Sequence, residues 1–222
     1  MDTRIILVDK NAAVVKALHE AFALESGFDF AFGSMLDQKV DAWVSPTNAL
    51  GDMSGGLDGA IRGRLGMQIQ TRVRAEIRRQ HAGYLPVGFA TCVPTGRAMP
   101  AYLISTPTMG DKVMDVSATM NAALACCAAL QAVEQFNRSH RHAIRTVAMP
   151  GLGTGTGRVS PELCADLMYT AYKAMQGQHF DSFQEARGAL ESVLGPIANE
   201  HDEAGVFAAR ARTIRESGIS MI

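Results

Sequence analysis

Hydrophobic and polar positions divide the chain into short continuous apolar runs and longer amphipathic segments. The apolar runs predict buried strands at residues 5–8, 28–32, 41–44, 102–106 and 146–149. The amphipathic segments predict helices at residues 14–23, 58–80, 114–137 and 161–175. Strands made of continuous apolar runs are covered on both faces, so the pattern predicts an α/β fold in which a mostly parallel sheet lies between two layers of helices.

The chain of 222 residues is long enough for one large domain, and neither an internal repeat nor a linker rich in Pro, Ser or Gly divides it. Strand-like runs stop after residue 175. Residues 182–194 have a helical pattern, and residues 199–222 form a polar tail. We therefore expect a single domain over residues 1–222 with a helical C-terminal extension from residue 176.

The charges nearly cancel, with 21 basic and 22 acidic residues and a net charge of -1. Such a balance argues against nucleic acid or an anionic membrane as a partner, so an anion must be bound by local devices such as backbone amides and helix ends. A run of arginines at residues 62–79 is expected to be a solvated helix face, with a polyanion partner as the alternative. Its members are Arg62, Arg64, Arg72, Arg74, Arg78 and Arg79.

Targeting and metal signals are absent from the sequence. The longest apolar run, residues 122–130, is about half of the roughly 20 residues that a membrane span needs. The cysteines contain no C-x-x-C pair, so no metal or redox motif is predicted, and the adjacent Cys126 and Cys127 are expected in the core. We expect a cytoplasmic protein without membrane association, metal or cofactor; the oligomeric state stays open.

Two glycine-rich loops each follow a predicted strand, where ligands bind in open α/β sheets. The first occupies residues 45–61 and the second residues 150–157. Glycine lets a backbone approach a ligand closely, and exposed amides attract anions. Neither loop has the Lys-Ser/Thr of a P-loop or the G-x-G-x-x-G spacing of a dinucleotide site. The pair predicts a shared phosphate-bearing ligand, although a tight turn explains either loop alone.

Three segments of the chain resemble motifs of the macro domain family, the ADP-ribose-binding, Appr-1-p processing-like α/β/α module. Residues 40–48 resemble the family's V-D-A-I-V-N-A-A-N, residues 55–61 its G-G-V-D-G-A-I, and residues 147–155 its I-A-F-P-A-I-S-T-G. Weaker similarity covers residues 92–96 and 99–106. The resemblance runs in order over about residues 28–175. It implies a three-layer α/β/α core there, to which residues 5–8 and the following helix are an N-terminal addition.

The resemblance also implies roles for single residues. Asn48 matches the asparagine that holds the distal ribose, and Asp58 matches the aspartate of members that remove ADP-ribose from proteins. In the first turn of a helix, Asp58 would be favoured as a carboxylate and would orient or deprotonate a water. The alternatives are an ordinary helix-start aspartate and an ordinary turn asparagine. The segments implied to contact the phosphates and the distal ribose are Gly55, Gly56 and Leu57, and Gly153, Thr154, Gly155 and Thr156.

Departures from the family pattern fall at the two ends of the implied site. Gly33-Ser34-Met35 stands where the family has the adenine-anchoring Gly-Asp-Ile, so Ser34 replaces the aspartate, and Asp37 is a candidate substitute. Gly157 stands where an aromatic residue usually covers the distal ribose, and Arg158 is a candidate to bridge the phosphates. The family's last strand and helix are also not evident near the C-terminus, whereas residues 5–8 supply an extra N-terminal strand. Together these features suggest a bacterial or phage-type branch.

The resemblance therefore implies a protein that binds ADP-ribose and hydrolyses a derivative of it. Candidate substrates are a mono-ADP-ribosyl-protein ester and O-acetyl-ADP-ribose, with a phosphatase acting on ADP-ribose-1''-phosphate as a variant. Water would be positioned near Asp58, with Asn48 holding the ribose hydroxyls. The alternative function is a non-catalytic reader of ADP-ribose, which the altered residues at Ser34 and Gly157 favour.

Overall fold

The computed structural model describes residues 3–141, 143–176, 185, 188–190 and 192. Within them, six strands form one sheet in the order β2-β1-β6-β3-β5-β4. All neighbouring strands are parallel except the edge pair β4 and β5, which confirms the mostly parallel sheet. The strands are β1 (Arg4–Asp9), β2 (Phe28–Phe32), β3 (Ala42–Ser45), β4 (Thr91–Pro94), β5 (Tyr102–Ser105) and β6 (Thr146–Met149).

Five α-helices of the described residues cover the two faces of this sheet. They are α1 (Ala12–Phe22), α2 (Gly56–Leu65), α3 (Gln68–His81), α4 (Asn121–Ser139) and α5 (Pro161–Met175). Successive side chains of β1 and β3 point to opposite faces of the sheet and so contribute to two hydrophobic cores. Leu7 and Val44 pack on the face covered by α1, α4 and α5, whereas Val8 and Trp43 pack on the face covered by α2 and α3. The predicted α/β/α arrangement is therefore confirmed.

Strand β1 lies inside the sheet, where it pairs in parallel with β2 on one side and β6 on the other. Helix α1, which follows it, packs against α5. The N-terminal strand and helix are thus present as predicted, and β1 is an interior strand of the sheet, next to the edge strand β2. Their removal would leave β2 without its neighbour.

Two predicted helices have different bounds in the structure. The helix predicted over residues 58–80 is two helices, because the φ of 98° at Gly66 ends α2. The Gly66 N–H donates to the Arg62 carbonyl at 2.8 Å. The arginines of residues 62–79 therefore lie on two helices. The helix predicted over 114–137 begins at Asn121, since Asp115 accepts from the Ser117 N–H in a local turn.

Strand β4 was absent from the predicted elements, because Pro94 breaks the apolar pattern at an edge position that tolerates proline. Cys126 and Cys127 are buried in α4 and confirm the prediction that they belong to the core. Of the helix predicted over 182–194, the described positions 185, 188–190 and 192 are helical; the rest, and the tail at 199–222, lie outside the described residues. Among described helices, none is long and apolar enough to cross a membrane.

Candidate functional site

A cleft with a volume of about 550 Å³ opens at the carboxyl ends of the parallel strands. Residues that follow β1, β2, β3, β5 and β6 line it, and both glycine-rich loops contribute to its wall. Parallel strands end at one edge of a sheet, so loops that are about one hundred residues apart in the chain meet there. The structure thus brings the two predicted loops together in one site.

Almost all of the residues implied by sequence to form the site line this cleft. Arg158 is the exception: it is exposed, it does not line the cleft, and its guanidinium lies 3.9 Å from the Asp115 carboxylate. The lining residues from the sequence prediction are Ser34, Met35, Asn48, Gly55, Gly56, Leu57, Asp58, Gly153, Thr154, Gly155, Thr156 and Gly157.

Asp58 lies in the first turn of α2 and is 8% exposed. The hydroxyl of Ser45, the last residue of β3, donates a hydrogen bond to its Oδ1. Burial raises the pKa of Asp58 to about 6, although the hydrogen bond from Ser45 acts in the opposite direction. A carboxyl group with this pKa exchanges its proton near neutral pH, which suits general acid or base chemistry. Ser45 was not singled out by the sequence.

Asn48 organises the first loop through its side chain. Its Oδ1 accepts from the N–H of Leu50 at 3.1 Å and from the N–H of Asp52 at 2.9 Å. This is the turn role that the sequence analysis kept as an alternative. Among the described residues, its Nδ2 has no acceptor, so Asn48 can offer a donor to a ligand but little acceptor capacity.

Both loops present backbone N–H groups without partners to the cleft. Gly55 caps α2 without a side-chain hydrogen bond, which leaves the first amides of the helix unpaired. In the second loop, the described residues supply no acceptor for the four consecutive N–H groups of residues 153–156, while the Thr154 hydroxyl donates to the Gly151 carbonyl at 2.9 Å. A run of unpaired amides and a helix start that line one cleft are features of an anion-binding surface.

Gly157 is enclosed by its own loop and by the segment before α4. A Cβ atom at this position would lie 2.6 Å from Val116 Cγ2 and 2.7 Å from the Gly153 carbonyl oxygen. These contacts leave no space for the aromatic side chain that usually stands here in the resembled family. Val113, which is 79% exposed, also lines the cleft.

The end of β1 supplies cleft residues that the sequence analysis missed. Asp9 and Lys10 both line the cleft. The side-chain Oδ2 of Asp9 accepts from the Gly151 N–H at 3.2 Å, and the backbone carbonyl of Asp9 accepts from the Gly33 N–H at 2.9 Å. Their position directly after a predicted strand, residues 5–8, was the available signal, because strand ends are where ligands bind in such sheets.

The adenine-anchor position of the resembled family is occupied differently here. The Ser34 hydroxyl accepts from the Leu36 N–H at 3.2 Å and so caps the short 3₁₀ helix Met35–Asp37. Asp37 is exposed and does not line the cleft, so the structure does not place this candidate substitute in the site. Among described residues, no group of three or more His, Cys, Asp or Glu side chains forms a metal site.

Comparisons with known proteins agree with this geometry. The model of the Macro domain family matches residues 44–168. An uncharacterized protein of Aquifex aeolicus (strain VF5) is 29% identical over 171 residues, which cover 73% of this chain and 94% of that protein. The structure of the Oceanobacillus iheyensis macrodomain with ADP is similar in fold, with a TM-score of 0.51, 13% identity, and coverage of 83% of this chain and 90% of that one. A mutant of that macrodomain with ADPR has a TM-score of 0.50, 13% identity, and coverage of 83% and 91%.

Proposed function

The chain belongs to the macro domain family, and on this premise we propose that its cleft binds ADP-ribose. The observation that carries the proposal is that two backbone segments with unpaired N–H groups, the start of α2 and residues 153–156, line the same cleft. The volume of about 550 Å³ falls in the range of pockets for small organic ligands. The family's macrodomain structures with ADP and with ADPR support the same class of ligand.

The ligand would lie with its diphosphate between the two loops. Backbone amides bind phosphate oxygens without lysines, which fits a chain with a net charge of -1. The distal ribose would then reach Asn48, in the loop after β3, and Asp58, in the first turn of α2, and the Asn48 Nδ2 can donate to a ribose hydroxyl. The base would occupy the opposite end, beside Ser34 and Met35.

The same placement supports hydrolysis of a mono-ADP-ribosyl ester. Water attacks the anomeric carbon of the distal ribose, and the bond from this carbon to the ester oxygen breaks. The released carboxylate keeps the electron pair, while ionised Asp58 accepts the proton of the water. The pKa of about 6 leaves Asp58 ionised at neutral pH and able to take this proton. O-acetyl-ADP-ribose is an alternative substrate of the same class.

A non-catalytic reader of ADP-ribose is the second candidate function. It is favoured by the 8% exposure of Asp58 and by the Ser45 hydrogen bond, which together limit access of a water to the carboxylate. It needs only the loops and the amide of Asn48, all of which line the cleft.

One experiment separates these functions. ADP-ribose is titrated calorimetrically into the wild-type protein, and release of ADP-ribose from a mono-ADP-ribosylated carboxylate is then measured for wild type and Asp58→Asn. The matched control is Asp37→Asn, an exposed aspartate outside the cleft. The hydrolase is supported if wild type binds and releases ADP-ribose, Asp37→Asn releases it equally, and Asp58→Asn alone loses release. Binding without release by wild type supports the reader, and absence of binding at millimolar ADP-ribose refutes both.

A further inference from the structure

Asp9 is a half-buried carboxylate in the cleft with unused acceptor capacity. Its Oδ1 accepts from the Asn11 N–H at 2.9 Å and its Oδ2 from the Gly151 N–H at 3.2 Å. A carboxylate offers about four lone-pair positions, so these two bonds leave about half of them free. No Lys, Arg or His among the described residues forms an ion pair with Asp9.

The position of Asp9 restricts what kind of group can lie against it. An ionised carboxylate repels phosphate oxygens and accepts hydrogen bonds from N–H and O–H groups. Asp9 accepts a hydrogen bond from Gly151, at the start of the second glycine-rich loop. The unpaired amides of residues 153–156 belong to the same loop. A ligand that fills the cleft would therefore place its anionic part on these amides and a part with hydrogen-bond donors next to Asp9.

The neighbouring strand end supplies no competing acceptor of this kind. The Gly33 N–H bonds to the Asp9 carbonyl at 2.9 Å, so the ends of β1 and β2 lie side by side. Ser34 uses its hydroxyl to cap the 3₁₀ helix, and Asp37 lies outside the cleft. Among the described residues that line the cleft at the ends of β1 and β2, Asp9 is the carboxylate available to a ligand.

We propose that Asp9 is the residue that selects the base of the bound nucleotide, by accepting a hydrogen bond from the exocyclic 6-amino group of adenine. This inference rests on the proposed binding of ADP-ribose and adds a specificity determinant to it. A 6-oxo purine presents a carbonyl oxygen at the same position, which an ionised carboxylate disfavours. Discrimination against such a base is strong when a buried polar group of the site is left unpaired.

The test compares two ligands that differ at this one position, ADP-ribose and inosine diphosphate ribose. Affinities for both are measured by calorimetry on wild type, Asp9→Asn and Asp37→Asn. We expect wild type and Asp37→Asn to prefer ADP-ribose by about tenfold, the worth of one charge-assisted hydrogen bond. Asp9→Asn should lose this preference, because its amide can donate to a 6-oxo group as well as accept.

The ratio of the two affinities separates base selection from a purely structural role of Asp9. If Asp9 only positions the second loop, Asp9→Asn weakens both ligands together and leaves the ratio unchanged, which overturns the proposal. Equal affinities in wild type, or loss of the preference in Asp37→Asn instead, also overturn it. Should Asp9→Asn not fold, Asp9→Glu keeps the carboxylate, displaces it by one methylene, and is expected to lower the ratio. Absence of ADP-ribose binding by wild type would contradict the proposed function itself.

Discussion

Ser45 donates a hydrogen bond from its hydroxyl to the carboxylate of Asp58, and so connects the end of β3 to the first turn of α2. Ser45 is fully buried and Asp58 nearly so. The hydrogen bond lowers the pKa of Asp58 against the larger effect of burial, which raises it to about 6. Ser45 therefore holds the carboxylate of the proposed general base in place and moderates the rise in its pKa that burial causes.

Ser45→Ala is expected to move the pH dependence of ADP-ribose release toward higher pH. Loss of the hydrogen bond removes a contribution that lowers the pKa of Asp58, so ionised Asp58 forms at a higher pH than in wild type. The measurement is kcat/KM for release between pH 5 and pH 8.5 on the same substrate. A decrease of the rate by the same factor at all pH values would indicate that Ser45 acts only on the geometry.

Ser105→Ala is the matched control for this change. Ser105 is the register partner of Ser45 on β5, is equally buried, and has no hydrogen-bond partner for its hydroxyl among the described residues. Removal of a buried hydroxyl that makes no hydrogen bond costs little. The pH profile of Ser105→Ala should therefore coincide with that of wild type.

Asp58→Asn is expected to slow release strongly and to stabilise the protein at neutral pH. The pKa of Asp58 is raised from its ordinary 3.8 to about 6, so the folded state binds the proton more tightly than the unfolded state. The resulting stability is complete below pH 3.8 and is lost as the pH rises through about 6. A rise in the pKa of about two units corresponds to about 3 kcal/mol in the free energy of unfolding. Wild type loses this stability between acidic and neutral pH, whereas the asparagine variant does not titrate and keeps its stability.

Urea unfolding at pH 4 and at pH 7.5 measures this difference. The free energy of unfolding of wild type should fall relative to Asp58→Asn between the two pH values, while the release rate at pH 7.5 drops about 10²- to 10⁴-fold in the variant. Asp37→Asn changes the net charge equally at an exposed position and should show neither effect. A constant difference between wild type and Asp58→Asn at both pH values would contradict the raised pKa.

Gly157→Ala is expected to destabilise the second loop. The added Cβ would lie within 2.7 Å of both Val116 and the Gly153 carbonyl oxygen, and the backbone oxygen can move only with the whole loop. Overpacking of this kind costs about 1–3 kcal/mol, which lowers Tm by several degrees in a chain of this length. Weaker binding of ADP-ribose should follow, because the amides of residues 153–156 move with the loop.

Gly155→Ala in the same loop separates packing from ligand contact. A Cβ at Gly155 meets no atom within 4 Å, and the backbone there is not in the left-handed region. Its Tm should equal that of wild type. A loss of ADP-ribose affinity without a change in Tm would place the ligand against Gly155 itself, whereas an equal decrease of Tm in both variants would show that the enclosure of Gly157 is not the cause.

The sequence predicted the five parallel strands and the two loops because both depend on local pattern: apolar runs for strands, and glycines after them. It did not predict the interruption at Gly66, where amphipathic periodicity continues on both sides of the break. The contact of Asp9 with the second loop was not predictable either, because its partner Gly151 is 142 positions away. That contact exists because β1 pairs with β6, and strand order is a property of the whole sheet.

Leu7→Ala tests whether the N-terminal strand is an integral part of the domain. Leu7 is 1% exposed and lies on the interior strand β1, between β2 and β6. Removing a buried leucine side chain costs about 2–5 kcal/mol, whereas the same change in a strand attached loosely to an edge would cost much less. Leu24, which is 100% exposed, gives the control variant Leu24→Ala. Urea unfolding should show the loss for Leu7→Ala alone.

Because β1 also carries Asp9 into the cleft, the unfolding midpoint of Leu7→Ala should rise when ADP-ribose is added, by mass action on the folded state. A Leu7→Ala protein as stable as Leu24→Ala would mean that the packing of the β1 side chain Leu7 contributes little to the stability of the domain.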